Sequence, residues 1–296
     1  MNSNVRVYAM LGLVSLIYGA NYVIAKAAMA EYLEPFGFIV LRVFFGTILF
    51  WIYHRVTVNE KVKDRRDYLR LAFCGLLGVC CNQLAFFKGL SMTSPVNASL
   101  IMTITPIITV VASAAILRER LRWVQGLGIL LGSAGAVLLI FNDNASVSAD
   151  SFTGDLLVLF NASCYGTYLV VVKPLMRKYD AATVVKWVFF FGFLMTLPFG
   201  LVEALSTDYA AFPWQVWAAV VFVIFGTTFL AYLLNARALK HVSSAIVGYF
   251  IYLQPVFATL FSVILGYETF TVSKALFSLM IFAGVFLVIR TRKATA

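Results

Sequence analysis

The chain has 296 residues, 62% of them apolar and 12% charged. A soluble domain carries roughly 45–50% apolar and about 25% charged residues because its surface must face water, so a soluble globular protein is excluded and lipid is the solvent that fits. The formal net charge of +10 does not point to a nucleic-acid partner, because the basic residues are scattered over short loops between apolar runs.

Crossing about 30 Å of hydrocarbon takes roughly 20 apolar residues per helix, so the length holds about ten spans and no sizeable soluble domain. The first apolar run, Val7 to Met29, is longer than the core of a signal peptide and lacks a small-residue cleavage site; it reads as a retained span. In chain order the predicted spans lie near 7–29, 36–54, 68–90, 95–117 and 122–141, then near 154–173, 183–204, 214–236, 243–266 and 270–290. Helices are forced here, because open backbone in lipid leaves N–H and C=O groups without partners. The expected class is an all-α integral membrane protein. Cys74, Cys80, Cys81 and Cys164 all fall inside apolar runs and read as packing residues rather than disulfides.

The Lys and Arg distribution sets the orientation. With a cytoplasmic N-terminus, all but Lys26, Arg42, Lys88 and Lys274 of the 23 basic residues fall on the inner segments. The outer loops hold acids such as Glu31, Glu34, Asp143, Asp150, Glu203 and Asp208. Both termini are therefore expected in the cytoplasm.

The two halves resemble each other. Tyr18-Gly19, Lys26 and Met29 recur 147 residues later as Tyr165-Gly166, Lys173 and Met176. Further on the offset is 149: Lys88 matches Arg237, Pro106 matches Pro255, Glu119 matches Glu268, and Gly135 matches Gly284. Each half holds five spans, an odd number, so the second enters the membrane from the opposite side. This predicts ten transmembrane helices as two inverted five-helix repeats, residues 1–145 and 146–296. Inverted repeats are characteristic of secondary transporters, in which the halves exchange conformations to open each side in turn.

The residues that carry a family resemblance are Tyr18-Gly19-Ala20-Asn21, Gly89-Leu90 with Thr93-Ser94, Thr105-Pro106, Leu117-Arg118-Glu119-Arg120-Leu121 and the glycines 128, 132 and 135. The second half repeats the pattern with Gln254-Pro255, Gly266-Tyr267-Glu268 and Gly284. The whole resembles the drug/metabolite transporter superfamily, EamA-type permeases. The resemblance implies a ten-helix fold in the cytoplasmic membrane and export or uptake of metabolites, with amino acids as the best-known substrates of bacterial relatives. The small four-span relatives couple to protons through a carboxylate in the first span. The corresponding stretch here, Leu13 to Ala25, has no acid.

Candidate transport residues follow from polar groups placed in lipid. Pro106 and Pro255 sit near mid-span and free the carbonyls near Met102 and Ile251. Thr103 and Tyr252, one turn earlier, and Gln254 lie beside them. Intramembrane polar residues face the bundle interior: Tyr18, Asn21 and Tyr22 share one face, as do Asn161, Tyr165 and Tyr168, and Thr228, Tyr232 and Asn235, with Asn82-Gln83 in span three. Each group sets an aromatic wall beside an amide, suited to a small amphipathic solute; interhelical hydrogen bonding is the alternative. Among the charges, Lys26 and Lys88 fall toward the outer face and Lys173 and Arg237 toward the inner. The expectation is a gate in which outer cations pair with Glu268 and inner cations with Glu119, against the alternative of snorkelling at span ends. Arg42, two turns inside span two, is the cation best placed to meet a carboxylate. Gly128 and Gly132 allow close helix packing within the chain, with a dimer interface as the weaker alternative.

The leading reading is a secondary transporter of a small polar or amphipathic metabolite, an amino acid or related compound, acting by alternating access in the direction of export. Its partners are that solute and membrane lipids, without nucleic acid, and the working unit is a monomer or homodimer. A flippase of a lipid-linked substrate is the alternative within transporters. An integral membrane enzyme is disfavoured, because the two histidines, His54 and His241, have no metal-ligand partner and no paired acids lie deep in a span. No metal or cofactor is expected.

Overall fold

The computed structural model describes residues 3–58, 60–117, 123–144, 149–241, 250–266 and 271–290, and over these it contains helices and no strand. The helices are α1 Ser3–Glu31, α2 Pro35–Thr57, α3 Arg65–Met92, α4 Pro95–Ile116, α5 Trp123–Asn144, α6 Ala149–Val171, α7 Ala181–Ser206, α8 Trp214–Ala238, α9 Leu253–Ile264 and α10 Val272–Arg290. Among the described residues seven of these, all but α5, α9 and α10, are long and apolar enough to cross a membrane. The other three contain shorter apolar stretches, Trp123–Leu138, Leu253–Ile264 and Ala275–Gly284. The expected all-α membrane fold of ten helices in two repeats is the fold observed.

Local chemistry sets the helix starts. Prolines at the first turn open α2 and α4, where their missing N–H costs nothing. Ser94 caps α4 by accepting the Asn97 amide at 3.2 Å, and Asp64 and Asp180 each accept an amide at 2.9 Å to cap α3 and α7.

The helices pack as an inverted repeat requires. α2 lies on α7 and α5 on α10, so each of these pairs joins repeat counterparts. The α1–α9 contact is mirrored by α6–α4, and α3–α6 by α8–α1. The mirroring extends to atoms. A Cβ added at Gly19 would lie 2.4 Å from Phe257 Cβ and 3.1 Å from the Gln254 carbonyl; one at Gly166 would lie 2.9 Å from Ile108 Cγ2 and 3.2 Å from the Thr105 carbonyl. These glycines are repeat counterparts, and so are Thr105 and Gln254 and Ile108 and Phe257. One close crossing is thus built twice, and in each case only glycine fits. Gly132 and Gly135 likewise face α10, where a Cβ on Gly284 would lie 2.4 Å from the Gly132 nitrogen. Packing within the chain uses these glycines.

Two departures from regular helix fall at matched positions. α4 breaks after Met102 and resumes at Thr105, and α9 begins after a turn at Tyr252, in both cases just ahead of the matched prolines. Hydroxyl groups bond carbonyls around both breaks. Thr105 Oγ1 donates to Met102 O at 2.7 Å, Thr103 Oγ1 to Leu100 O at 2.6 Å, and Ser15 Oγ from α1 to Phe250 O at 2.6 Å. The partner expected for Met102 is therefore a side chain of its own helix. The second departure was not legible in the sequence: α3 carries a π-helical segment at Leu76–Cys81 and α8 a longer one at Phe222–Leu230, and the two end at positions 149 residues apart. Such segments cluster at functional sites, and these two immediately precede Asn82-Gln83 and Tyr232.

Candidate functional site

Arg42 stands two turns into α2 and is only 3% exposed. Its Nε donates to Thr228 Oγ1 at 2.5 Å and one terminal nitrogen donates to Gln83 Oε1 at 2.8 Å, while the guanidinium lies 5.1 Å from the Phe87 ring centroid. Gly46, one turn on, lets α8 come close enough for this, since a Cβ there would lie 2.7 Å from Thr228 Cγ2. Every one of these partners is neutral. The ion pairs among the described residues join Asp64 and Asp67 to Lys178 and Asp67 to Arg70, and none includes Arg42. A buried cation without a counter-charge is costly, and two of the five N–H groups of a guanidinium are used on protein oxygens. By either repeat offset the counterpart of Arg42 is a phenylalanine, Phe189 or Phe191. The fold therefore does not need a cation at this position.

From Arg42 a run of amides crosses the bundle. Gln83 Nε2 donates to Asn82 Oδ1 at 3.0 Å and to the Tyr232 hydroxyl at 3.1 Å. Asn82 Nδ2 donates to the Asn161 carbonyl at 3.4 Å, and Asn161 Nδ2 donates to the Asn82 carbonyl at 2.7 Å. Helices α2, α3, α6 and α8 meet in this network.

Tyrosines surround it. The Tyr18 hydroxyl lies beside Asn235 and within electrostatic reach of Tyr165, Tyr232 and Arg42. Tyr165 and Tyr168 stack with centroids 6.0 Å apart, and the Tyr168 ring covers Gly78 of the π-helical segment. Tyr232 meets Phe189 edge-on at 5.0 Å. Of the residues singled out in the sequence, the structure thus gathers Tyr18, Arg42, Asn82, Gln83, Asn161, Tyr165, Tyr168, Tyr232 and Asn235 around one centre.

The remaining candidates stand apart from it. Tyr22 packs edge-on against Phe86 at 5.5 Å and donates to Gln254 Oε1 at 3.4 Å, tying α1 to α9. Tyr252 meets Phe282 edge-on at 5.5 Å. Thr103, Pro106 and Pro255 are buried at their helix breaks. Asn21, one turn from Tyr18, is buried with its Oδ1 unbonded.

A model of the EamA-like transporter family matches residues 6–141 and 152–290. The chain belongs to that family. The two matched segments fall one on each repeat. The chain is 25% identical over 268 residues to the uncharacterized transporter YyaM of Bacillus subtilis, covering 89% of this chain and 87% of that one. It is 28% identical over 158 residues to a probable terminal-alkyne amino-acid exporter of Streptantibioticus cattleyicolor, covering 53% and 52%. A solved crystal structure with 20% sequence identity shares the fold at a TM-score of 0.66, over 97% of this chain and 98% of its own. The chain is accordingly a multi-pass membrane transporter, and its setting is a small solute and membrane lipid.

In this EamA-like transporter the described charges flanking the centre have the following partners. Lys26 Nζ donates to the carbonyls of Leu90, at 3.3 Å, and Thr93, and Thr93 Oγ1 donates to Asp155 Oδ1. The α3–α4 junction is thereby held between α1 and α6. Gly154 permits the approach, since a Cβ there would lie 2.9 Å from the Gly89 carbonyl. Asp155, fully buried, was not singled out in the sequence; an acid at the head of the sixth predicted span, opposite a Thr-Ser-Pro hairpin, was the available signal. Lys173, the counterpart of Lys26, is exposed, and Lys88 is half-buried. Arg237 donates to the Tyr53 hydroxyl. Glu119 and Glu268 lie outside the described residues. At the end expected to be cytoplasmic, Asp67 is buried and takes hydrogen bonds from Lys178 and Tyr179, joining α3 to the α6–α7 connection.

Proposed function

We propose that the chain is a secondary carrier for a small amphipathic metabolite bearing a carboxylate, an amino acid or related compound, moved outward across a bacterial cytoplasmic membrane by alternating access. The observation that carries this reading is Arg42, a buried guanidinium at the junction of the repeats whose protein partners are all neutral. A carboxylate from the cargo supplies the missing charge through a paired, charge-assisted contact, and the tyrosines provide apolar walls ending in hydroxyls for the rest of the molecule. Amino-acid cargo and outward direction are supported by the Streptantibioticus relative, a probable terminal-alkyne amino-acid exporter.

The repeats, divided near residue 145, supply the two gates. At the end expected to face outward, Lys26, Thr93 and Asp155 fasten the α3–α4 junction over the centre. Release there, with closure at the opposite end, exposes Arg42 to the other side. The bias of Lys and Arg toward one set of loops supports both termini in the cytoplasm.

Thermal unfolding of the purified protein across a panel of amino acids, carboxylic acids, amines and sugars tests the reading. A ligand present at 100 times its Kd stabilises by about 2.7 kcal/mol. Stabilisation is expected from members with a carboxylate. A panel in which only amines or sugars stabilise would overturn it.

A further inference from the structure

Two residues at the centre have polar side chains where their repeat counterparts are apolar, and they touch each other. Asn82 corresponds to Ala231 and Asn161 to Val14. Val14 and Ala231 are themselves packed together in one buried apolar cluster with Ile17 and Leu234. The same α3–α6 crossing is thus built once with two amides and once, as α8–α1, with two aliphatic side chains. The fold therefore does not require the amides.

Asn161 is 2% exposed, and its orientation is fixed because Nδ2 donates to the Asn82 carbonyl at 2.7 Å. That leaves Oδ1 as the acceptor, and it is buried with no hydrogen-bond partner. A buried acceptor left unbonded is uncommon in a native structure and asks for an explanation. It lies one helical turn before Tyr165, whose ring stacks on Tyr168 and whose hydroxyl lies within electrostatic reach of Tyr18 and Tyr232. An acceptor oxygen one turn from a pair of tyrosines suits a cation that carries N–H donors.

Resting on the reading of Arg42 as the carboxylate anchor, we propose that Asn161 selects the ammonium group of the cargo. Its side-chain oxygen accepts an N–H from an α-amino acid, and the deaminated acid of the same shape is rejected because that oxygen then stays unbonded.

Binding of L-leucine and 4-methylpentanoate, and of L-phenylalanine and 3-phenylpropanoate, to the full purified chain by calorimetry tests this. Wild type is expected to favour each amino acid by at least about tenfold, the value of one charge-assisted hydrogen bond. The double variant N82A/N161V copies the pair found in the other half, so it is expected to fold and to lose the preference for each amino acid over its deaminated acid. A second variant, Asn161→Asp, keeps an acceptor and is expected to keep or enlarge it. Equal binding of both compounds by wild type overturns the proposal while leaving Arg42 as the anchor, as does a preference that survives in N82A/N161V or disappears in Asn161→Asp. Failure of all four compounds to bind wild type overturns the reading of Arg42 as well.

Discussion

The side-chain amide of Gln83 donates to the hydroxyl of Tyr232 at 3.1 Å, and the two residues are repeat counterparts, 149 positions apart. Counterparts related by a two-fold axis meet only close to that axis. In an inverted repeat the axis lies in the membrane plane, so this contact marks mid-depth. Arg42, bonded to the same Gln83, sits there too.

A double-mutant cycle tests the contact. Gln83→Leu and Tyr232→Phe should show a coupling energy of about 0.6 kcal/mol, and no more than about 1.7, the range for hydrogen bonds between membrane helices. Denaturant unfolding of the four proteins measures it. Additive effects would separate the two residues.

The mirrored glycines give a stability prediction. Gly19→Val and Gly166→Val both force a side chain into α9 or α4 at a distance no real Cβ tolerates, so each should cost about 1–3 kcal/mol. Gly126→Val meets nothing within 4 Å and serves as the control. Thermal unfolding that ranks Gly126→Val with the other two would contradict the close crossings.

Much of this was legible in the sequence for a physical reason: lipid forbids unpaired backbone and penalises polar side chains, so spans and interior-facing residues announce themselves. The tyrosines and amides at helical spacing, Tyr18, Asn161, Tyr165 and Asn235 among them, converge as read. Arg42 was recognised as too deep to snorkel. The partners of the charges were not legible, because they depend on which helix ends meet. Lys26 was expected to pair with Glu268, which lies outside the described residues, and the main-chain carbonyls of the α3–α4 junction to which it donates were not foreseen. The hydroxyl of Thr103, a candidate cavity-lining residue, donates to a carbonyl of its own helix, which its position ahead of Pro106 did not reveal. The π-helical segments left no signal because they change hydrogen-bond register, not residue type.

The fastening of the α3–α4 junction predicts a shift in conformation. Asp155→Asn or Thr93→Val weakens a hydrogen bond to a buried charge worth roughly 1.5–3 kcal/mol, so the end expected to be periplasmic should open about tenfold or more often. A cysteine placed at buried Ala28 and labelled with an impermeant maleimide reports it. The labelling rate should rise by that factor in both variants. An unchanged rate would mean the junction does not close this end.

The most direct measurement is solute counterflow into proteoliposomes, comparing wild type with Arg42→Met. Wild type should accumulate labelled amino acid against a preloaded pool. The variant should lose at least about 30-fold in kcat/KM, the equivalent of one charged contact. Its unfolding temperature should hold or rise, because an uncompensated buried charge has been replaced by an apolar side chain. Counterflow at the wild-type rate in Arg42→Met, or a collapse in its stability that makes Arg42 structural, would contradict the account.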